Sequence, residues 1–566
     1  MSNSSQLLTA LSFQLKHIGG VKDWSKSEAL AHVDEDTLNA LLETAADFAE
    51  SRLAPLAASA DLQGCKLHGH RVRLPEGTRE VYEEWRSLGF PSLGLPPHID
   101  GLGLPNAALC AIQELCDGAN LALGMLFINL RCAALALLKS ASADQQQKWL
   151  PGLVSGSLAS TIAISEPQAG SDVGRIRTLA QPQADGSYLI TGTKIWISYG
   201  DHDATDDILH LALARLPDSE AGSRGLSLFA VPVSNANRNG VSVQRIEHKM
   251  GLHASPTCVL EFIEARGEMI GEAGKGLAAL FTMMNAMRLA VAVQGASIAN
   301  AATSHALQYA SERPQGGHPT RPAVNIIEHT DVQRMLLEMI AESELLRAQA
   351  MRIAALLDQA AASKEITESS SQRLAEFLLP IAKTYNSETA FVIANMGIQV
   401  LGGYGYTSDY PLERMARDIR VASIYEGTSG IQALDLVKRK LLGDHGAVFA
   451  EFLEQIDTAL TSGKSDFQIA WPQVREELSA LASQLIALSK DDLRKLESAT
   501  YPFLQLAAVA VNCWNGHLLQ NAADPSEFHQ HRLAVALRYY ASSVTAKAAL
   551  WGCKARSELP SLPTSK

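Results

Sequence analysis

Tyr188-Leu-Ile-Thr-Gly-Thr-Lys-Ile-Trp-Ile-Ser198 carries the β-strand texture that sets the middle of the chain apart from its flanks. Tyr188–Thr191 and Lys194–Ile197 are short apolar runs on either side of Gly192-Thr193, and they read as two strands joined by a tight turn. Working outward, Ile208–Leu216, Leu226–Val233 and Thr257–Phe262 read as further short strands, each bounded by nearby Asp, Gly, Asn or Pro. No helix-length periodicity lies between them. The stretch from about 161 to 270 is therefore expected to be an antiparallel β domain rather than a doubly wound sheet.

The flanks have a different texture. Leu38, Leu41, Leu42, Ala45 and Phe48 recur at helical spacing, and after the Pro- and Gly-containing interruption from Pro91 to Pro105 an apolar helical pattern returns through Leu138. Beyond residue 275 the chain reads as long helices over Leu277–Arg313, Val332–Leu357 and Gln372–Val400, with a fourth from about Pro411 to Leu442. Four such helices suggest an up-down bundle. Gly443–Gly446 and the polar stretch near Gly463 read as a linker, residues 470–552 as further amphipathic helices, and Pro560–Lys566 as a frayed tail. The expected architecture is α+β in four parts: a helical domain (1–160), a β domain (161–272), a helical bundle (273–443) and an extra helical domain (444–566).

A chain of 566 residues is too long for one core. Its net charge of −12 argues against broad binding to nucleic acid or an anionic membrane. The 7 cysteines are odd in number and irregularly spaced, which fits buried reduced thiols rather than a disulfide framework or zinc site. No histidine pair has a matching carboxylate or thiol cluster, so no metal is assigned. Met1–Lys16 lacks the pattern of a signal peptide. The most apolar stretch reads as Leu504–Val511, which is far shorter than the roughly 20 residues of a membrane span. The expected location is the cytoplasm.

Several short segments could carry chemistry. Ser165 to Asp172 is dense in small and hydroxyl residues, and Gly170 permits close approach of a ligand to the backbone; a surface turn explains it equally well. Trp196 and Ser198 fall on one face of a strand, an arrangement suited to a planar cofactor, although a core tryptophan is the commoner case. Gln399 to Tyr406 contains Gly402-Gly403 but follows a helix, so it is not a dinucleotide fingerprint. Glu426, placed in the fourth helical region with Ile424 and Tyr425 before it and two glycines after it, could be partly desolvated and so act as a base.

The order of these segments is more telling than any one of them. Ser165-Glu166-Pro-x-Ala-Gly-Ser-Asp172, Gly192-x-Lys194-x-Trp196-Ile-Ser198 and Lys249-Met-Gly-Leu-x-Ala-Ser-Pro-Thr257 resemble the β domain of acyl-CoA dehydrogenases. Tyr309-Ala-x-x-Arg313-x-Gln315, Gln399-x-x-Gly-Gly403 and Glu413-Arg-x-x-Arg-Asp418-x-Arg420, followed by Ile424-Tyr-Glu-Gly-Thr428, resemble that family's C-terminal bundle. The resemblance runs from about Leu38 to Leu442. Tyr199-Gly-Asp-His202, Thr282-Met-Met-Asn285 and Gly430-Ile-Gln-Ala-Leu-Asp-Leu436, with the added C-terminal length, are similar to a larger bacterial subfamily that includes methylthiopropanoyl-CoA dehydrogenases.

The resemblance implies FAD as cofactor and dehydrogenation of an acyl-CoA to a trans-2-enoyl-CoA, with Glu426 as the base. It implies that Ser165, Gly170, Trp196 and Ser198 meet the flavin, and that Arg313, Gln399, Gly402, Gly403 and Thr428 contact FAD across a homodimer or homotetramer. Ser171, Asn285 and Arg288 would lie along the substrate, and an electron-transfer flavoprotein would accept the electrons. The alternative base position on the first long helix reads Met287. Gly316 stands where classical members carry phenylalanine, and Asp409-Tyr-Pro-Leu-Glu413 is closer to general acyl-CoA dehydrogenases than to the methylthio group. The acyl group, fatty or methylthiopropanoyl, stays open. The competing reading is a DNA-alkylation-response flavoprotein of the same fold. It calls for a basic C-terminal domain, whereas residues 445–566 are balanced or slightly acidic.

Overall fold

The computed structural model describes residues 3–27, 30–363, 369–488 and 492–562, so the end of the tail expected to fray lies outside the described residues. One unit comprises Asn39–Pro105 and Leu115–Ala290, the other Met1–Leu38, Asn106–Glu114 and Val291–Lys566.

The first unit is built on a seven-stranded sheet. After a small hairpin, β1 (Lys66–His68) and β2 (Arg71–Arg73), the sheet comprises β3 (Leu158–Ala163), β4 (Leu179–Pro182), β5 (Tyr188–Ser198), β6 (Asp207–Arg215), β7 (Leu226–Ser234), β8 (Val241–Ile246) and β9 (Thr257–Ile270). The order is β3-β6-β4-β5-β9-β7, with β8 on β9, and β6 also pairs with β7, so the path closes on itself. Closure leaves few free strand edges to manage. Most pairings are antiparallel as expected. Two are not: β3 runs parallel to β6 from Leu158↔Asp207 to Ala163↔Ala212, and β4 meets β6 in parallel at Leu179↔Arg215.

Tyr188–Ser198 is one strand of 11 residues, not two strands and a turn. It pairs along β9 from Tyr188↔Gly267 to Ser198↔Thr257, with register shifts between Ile190 and Gly192 and between Lys194 and Ile197. Glycine is required at 192 for space, not for turning. A Cβ there would lie 2.4 Å from the Thr178 Oγ1 and 2.9 Å from its Cα. Ile190, Ile197, Phe229, Leu260 and Phe262 are buried within the sheet.

Helices cover the flanks: α1 (Glu35–Phe48), α2 (Asn106–Ala119), α3 (Leu121–Ser140), α4 (Ala143–Val154) and α5 (Gly276–Glu312). α3 and α5 are long and apolar enough to span a bilayer by length and composition, so Leu504–Val511 is not the most apolar stretch. Both are largely buried in the protein, at 72% and 61% of their most apolar windows. A helix apolar on all sides is what a core position demands.

In the second unit two further long helices, α6 (Thr330–Ala362) and α7 (Ser370–Leu401), fall within a few residues of the expected spans. The expected fourth helix does not form as one piece. α8 (Leu412–Ile419) gives way to a 3₁₀ turn at Arg420–Ser423, a bend over 424–428, then α9 (Ser429–Leu434), continued as a π-helical turn through Leu441. Glu426 and Gly427 have φ of 54° and 93°, left-handed values that no α-helix accommodates. The C-terminal region contains α10 (Ala447–Ala459), α11 (Asp466–Leu488), α12 (Leu493–Ala522), α13 (Phe528–Ala541) and α14 (Val544–Arg556). The segment read as linker near Gly443 is thus a turn leading directly into α10.

Replacing Gly192 by alanine is expected to destabilise the protein by about 1–3 kcal/mol through overpacking against Thr178. Chemical denaturation of Gly192→Ala beside the wild type checks this; equal midpoints would show that strand β5 has slack.

Candidate active site

In the sheet-bearing unit the loop after β3 is organised around a buried ion pair. Glu166 is buried, and its carboxylate accepts hydrogen bonds from the Lys194 Nζ at 2.9 Å, the Arg177 N at 2.7 Å, the Thr178 N at 3.0 Å and the Thr178 Oγ1 at 2.5 Å. The Gln168 Nε2 adds another at 2.6 Å. Lys194, fully buried, also donates to the Ile164 carbonyl at 3.0 Å. Burial alone would raise the Glu166 carboxyl, but the Lys194 ammonium, the Thr178 hydroxyl and the Arg177 amide outweigh it and hold it well below the ordinary carboxylate range. Burial in turn draws Lys194 below the usual lysine value. The sequence alone assigns neither residue a role. A charged pair 28 residues apart leaves no local signal.

This pair fixes the segments that carry the predicted residues. The Ile195 N donates to the Ser165 carbonyl at 2.9 Å, joining the loop to the strand beside Trp196. Trp196 has φ 62° and sits in the register shift, so Lys194 and Ile197, three residues apart, are both buried. The indole is 59% exposed, which removes the core-tryptophan reading. Ser198 is half-buried, and Gly170 and Ser171 are exposed. A Cβ on Gly170 would meet nothing within 4 Å. An uncovered aromatic plane beside an open backbone loop fits a planar cofactor. On α5, Asn285 is half-buried and Arg288 and Met287 are buried.

The bundle unit holds Glu426. The half-buried residue stands on the bend between α8 and α9. The loop's carbonyls are gripped from behind: the Lys383 Nζ donates to the Gly427 O at 2.7 Å, and the Gln432 Nε2 to the Glu426 O at 2.9 Å. Both Lys383 and Gln432 are fully buried. The Tyr425 hydroxyl bonds the Gln294 side chain. The Thr428 Oγ1 accepts from the Ile431 N at 3.4 Å and caps α9. Lys383, in the apolar run Ile381-Ala-Lys-Thr384, was passed over in sequence; a lone lysine on a buried helical face is the available signal.

In the same unit Arg313, Gly402 and Gly403 line one cavity of about 490 Å³, together with Tyr309, Tyr404 and Thr407. The Arg313 guanidinium lies 5.5 Å from the Tyr404 ring centre. Gly402 has φ 63°, and a Cβ on either glycine would meet nothing within 4 Å, so the backbone is open to a ligand. A cation beside exposed backbone fits a phosphorylated group. Gln399, exposed on the last turn of α7, is not among the lining residues. Gly316 has φ 82°, and a Cβ there would lie 3.0 Å from the His329 ring, which explains why a phenylalanine does not stand at this position.

Residues 35–157, 161–265 and 274–441 match, in order, the N-terminal, middle and C-terminal domains of acyl-CoA dehydrogenase. The chain belongs to the acyl-CoA dehydrogenase family, a class of FAD-dependent oxidoreductases acting on acyl-CoA thioesters. Among its relatives, the 3-methylmercaptopropionyl-CoA dehydrogenase of Ruegeria pomeroyi is 37% identical over 93% of each chain. The broad-specificity linear acyl-CoA dehydrogenase of Mycobacterium tuberculosis is 32% identical, again over 93% of each. The acyl-CoA dehydrogenase of Bacillus anthracis, solved with FAD, has the same fold, with a TM-score of 0.76, 20% identity, and cover of 92% of this chain and 88% of that one.

Removing one partner of the Glu166–Lys194 pair should cost about 3–5 kcal/mol, because it strands a buried charge. Glu166→Ala is expected to melt well below the wild type and to lose flavin on gel filtration. Since the Glu166 carboxyl is held low, its contribution is fully present above the ordinary carboxylate value and is lost as pH falls through the depressed one. The melting deficit of the variant should therefore be complete at neutral pH and shrink only in strong acid.

Proposed function

We propose that Glu426 is the base of the α,β-dehydrogenation carried out by this enzyme, and that the bend from Ile424 to Thr428 exists to present it. The observation that carries this reading is the left-handed backbone at Glu426, held by Lys383 and Gln432 on the carbonyl side. A non-glycine residue in that region costs on the order of 1–3 kcal/mol and persists only where its surroundings impose it. A glutamate that needed only solvent would not be held this way.

A thioester acidifies its α C–H, but not enough for a carboxylate in water. Glu426, half-buried, removes the α-proton, and its own backbone N–H donates to the thioester carbonyl as negative charge develops there. Bound FAD supplies the acceptor for the hydride that leaves the β-carbon. Ser165 and Ser198 hold the flavin by their hydroxyls, Trp196 covers its ring, and Gly170 lets it approach the loop. Arg313, Gln399, Gly402, Gly403 and Thr428 hold the adenosine diphosphate part, in the family manner from a neighbouring copy, which makes the enzyme a homo-oligomer. Ser171, Asn285 and Arg288 line the path of the acyl-CoA. The likeness to the Ruegeria enzyme favours 3-methylthiopropanoyl-CoA as substrate, with linear acyl-CoAs next. An electron-transfer flavoprotein in the cytoplasm takes the electrons onward.

Anaerobic mixing with a panel of acyl-CoAs, followed by flavin absorbance, tests the proposal. The wild type should bleach, most rapidly with 3-methylthiopropanoyl-CoA. Glu426→Gln should retain its FAD and bleach about 10²- to 10⁴-fold more slowly, the span of general base catalysis. A variant as fast as the wild type would assign the base elsewhere.

A further inference from the structure

The three domain matches end at Leu441, and α10–α14 lie beyond them. One of these helices nevertheless reaches the base loop. Glu388, half-buried on α7, accepts at its Oε2 from the Tyr501 hydroxyl at 2.7 Å and the Gln505 Nε2 at 2.9 Å, both from α12. Gln505 also donates to the Tyr501 Oη at 2.9 Å. The other carboxylate oxygen of Glu388 accepts from the Ser429 Oγ at 2.6 Å. Ser429 begins α9, three residues after Glu426, and its Oγ also lies 3.5 Å from the Ser423 carbonyl. One hydroxyl thus touches both ends of the bend that carries Glu426. Tyr501 is steadied in turn by an edge-on contact with Trp551 of α14, ring centres 5.9 Å apart.

We infer that the C-terminal helices are part of the base's support: Tyr501 and Gln505 are positioning residues that act through Glu388 and Ser429 to fix the backbone on which Glu426 stands. The inference rests on the proposal that Glu426 is the base. The chain of bonds is directional. The carboxylate of Glu388 can only accept, so Ser429, Tyr501 and Gln505 must all donate to it. Burial, and then the hydrogen bond to Glu388, push the Tyr501 phenol above its ordinary value, so it remains a donor throughout the working pH range. Without Tyr501 and Gln505, Glu388 loses both donors at one oxygen and is free to turn. Ser429 then loses the acceptor that orients it, and the bend loses its brace.

The test uses the full-length, FAD-loaded enzyme. Tyr501→Phe, Gln505→Leu and the double variant are compared with the wild type, with Glu426→Gln and with Tyr540→Phe. Tyr540 is a buried tyrosine of the C-terminal helices, bonded to Asn512 and Tyr385. The double variant should show a limiting rate of flavin reduction about 10- to 100-fold lower, the scale of an ångström-level misplacement. Its half-saturating acyl-CoA concentration should be unchanged, and amide hydrogen exchange over residues 421–431 should be faster. Tyr540→Phe should shift the melting temperature by a similar amount and change neither. The inference is overturned if the double variant reduces flavin at the wild-type rate with unchanged exchange while Glu426→Gln is inactive, or if Tyr540→Phe slows reduction equally. A fully active Glu426→Gln would remove the base assignment and this inference together.

Discussion

Two successive left-handed residues, Glu426 and Gly427, interrupt a segment whose apolar pattern would otherwise continue as a helix from α8 into α9. A glycine enters that region freely, but a glutamate does not. The strain is therefore concentrated at the residue that carries the carboxylate. It is offset by donors buried behind the loop, an ammonium from α7 and an amide from α9. In a low-dielectric interior a charged donor to a carbonyl is among the stronger hydrogen bonds available. The three long helices can be seen as the frame that keeps Lys383 where it must be, since its stem is enclosed on all sides.

The β unit solves a similar problem with a different device. Trp196 is also left-handed, and a buried lysine, Lys194, stands two residues before it on β5. There the lysine is paired with Glu166, and the carboxylate collects backbone amides from the segment that leads into β4. In both units a buried cation lies on a regular element near a strained residue that lies on a break in one. Rigid elements supply the anchors and irregular ones the presentation.

The long helices α5, α6 and α7 were legible in the sequence to within a few residues, because helical periodicity over 30 or more positions is hard to mistake. The break at 424–428 was not, because the apolar spacing on either side of it is unchanged and only the backbone differs. Gly192 was read as a turn on its composition, whereas its cause is Thr178 on a neighbouring segment, a tertiary fact. The exposed face of Trp196 ran against the commoner fate of that residue type. Gly402-Gly403 carries no fingerprint of its own in the sequence, because it follows a helix; the fold puts it beside Arg313 in one cavity. Glu166 and Lys194, and likewise Glu388 with Tyr501 and Gln505, meet across long separations that no local pattern encodes.

The most direct measurement of the central claim is a crystal structure of the enzyme with FAD and a thioester that cannot be dehydrogenated, such as a 3-thia-acyl-CoA. The Glu426 carboxylate should lie about 3–3.5 Å from the α-carbon, as a near-attack geometry requires. The Glu426 backbone N should lie within about 2.7–3.1 Å of the thioester oxygen, with the left-handed bend unchanged. A different carboxylate against the α-carbon, or a bend that straightens into helix when substrate binds, would contradict the claim.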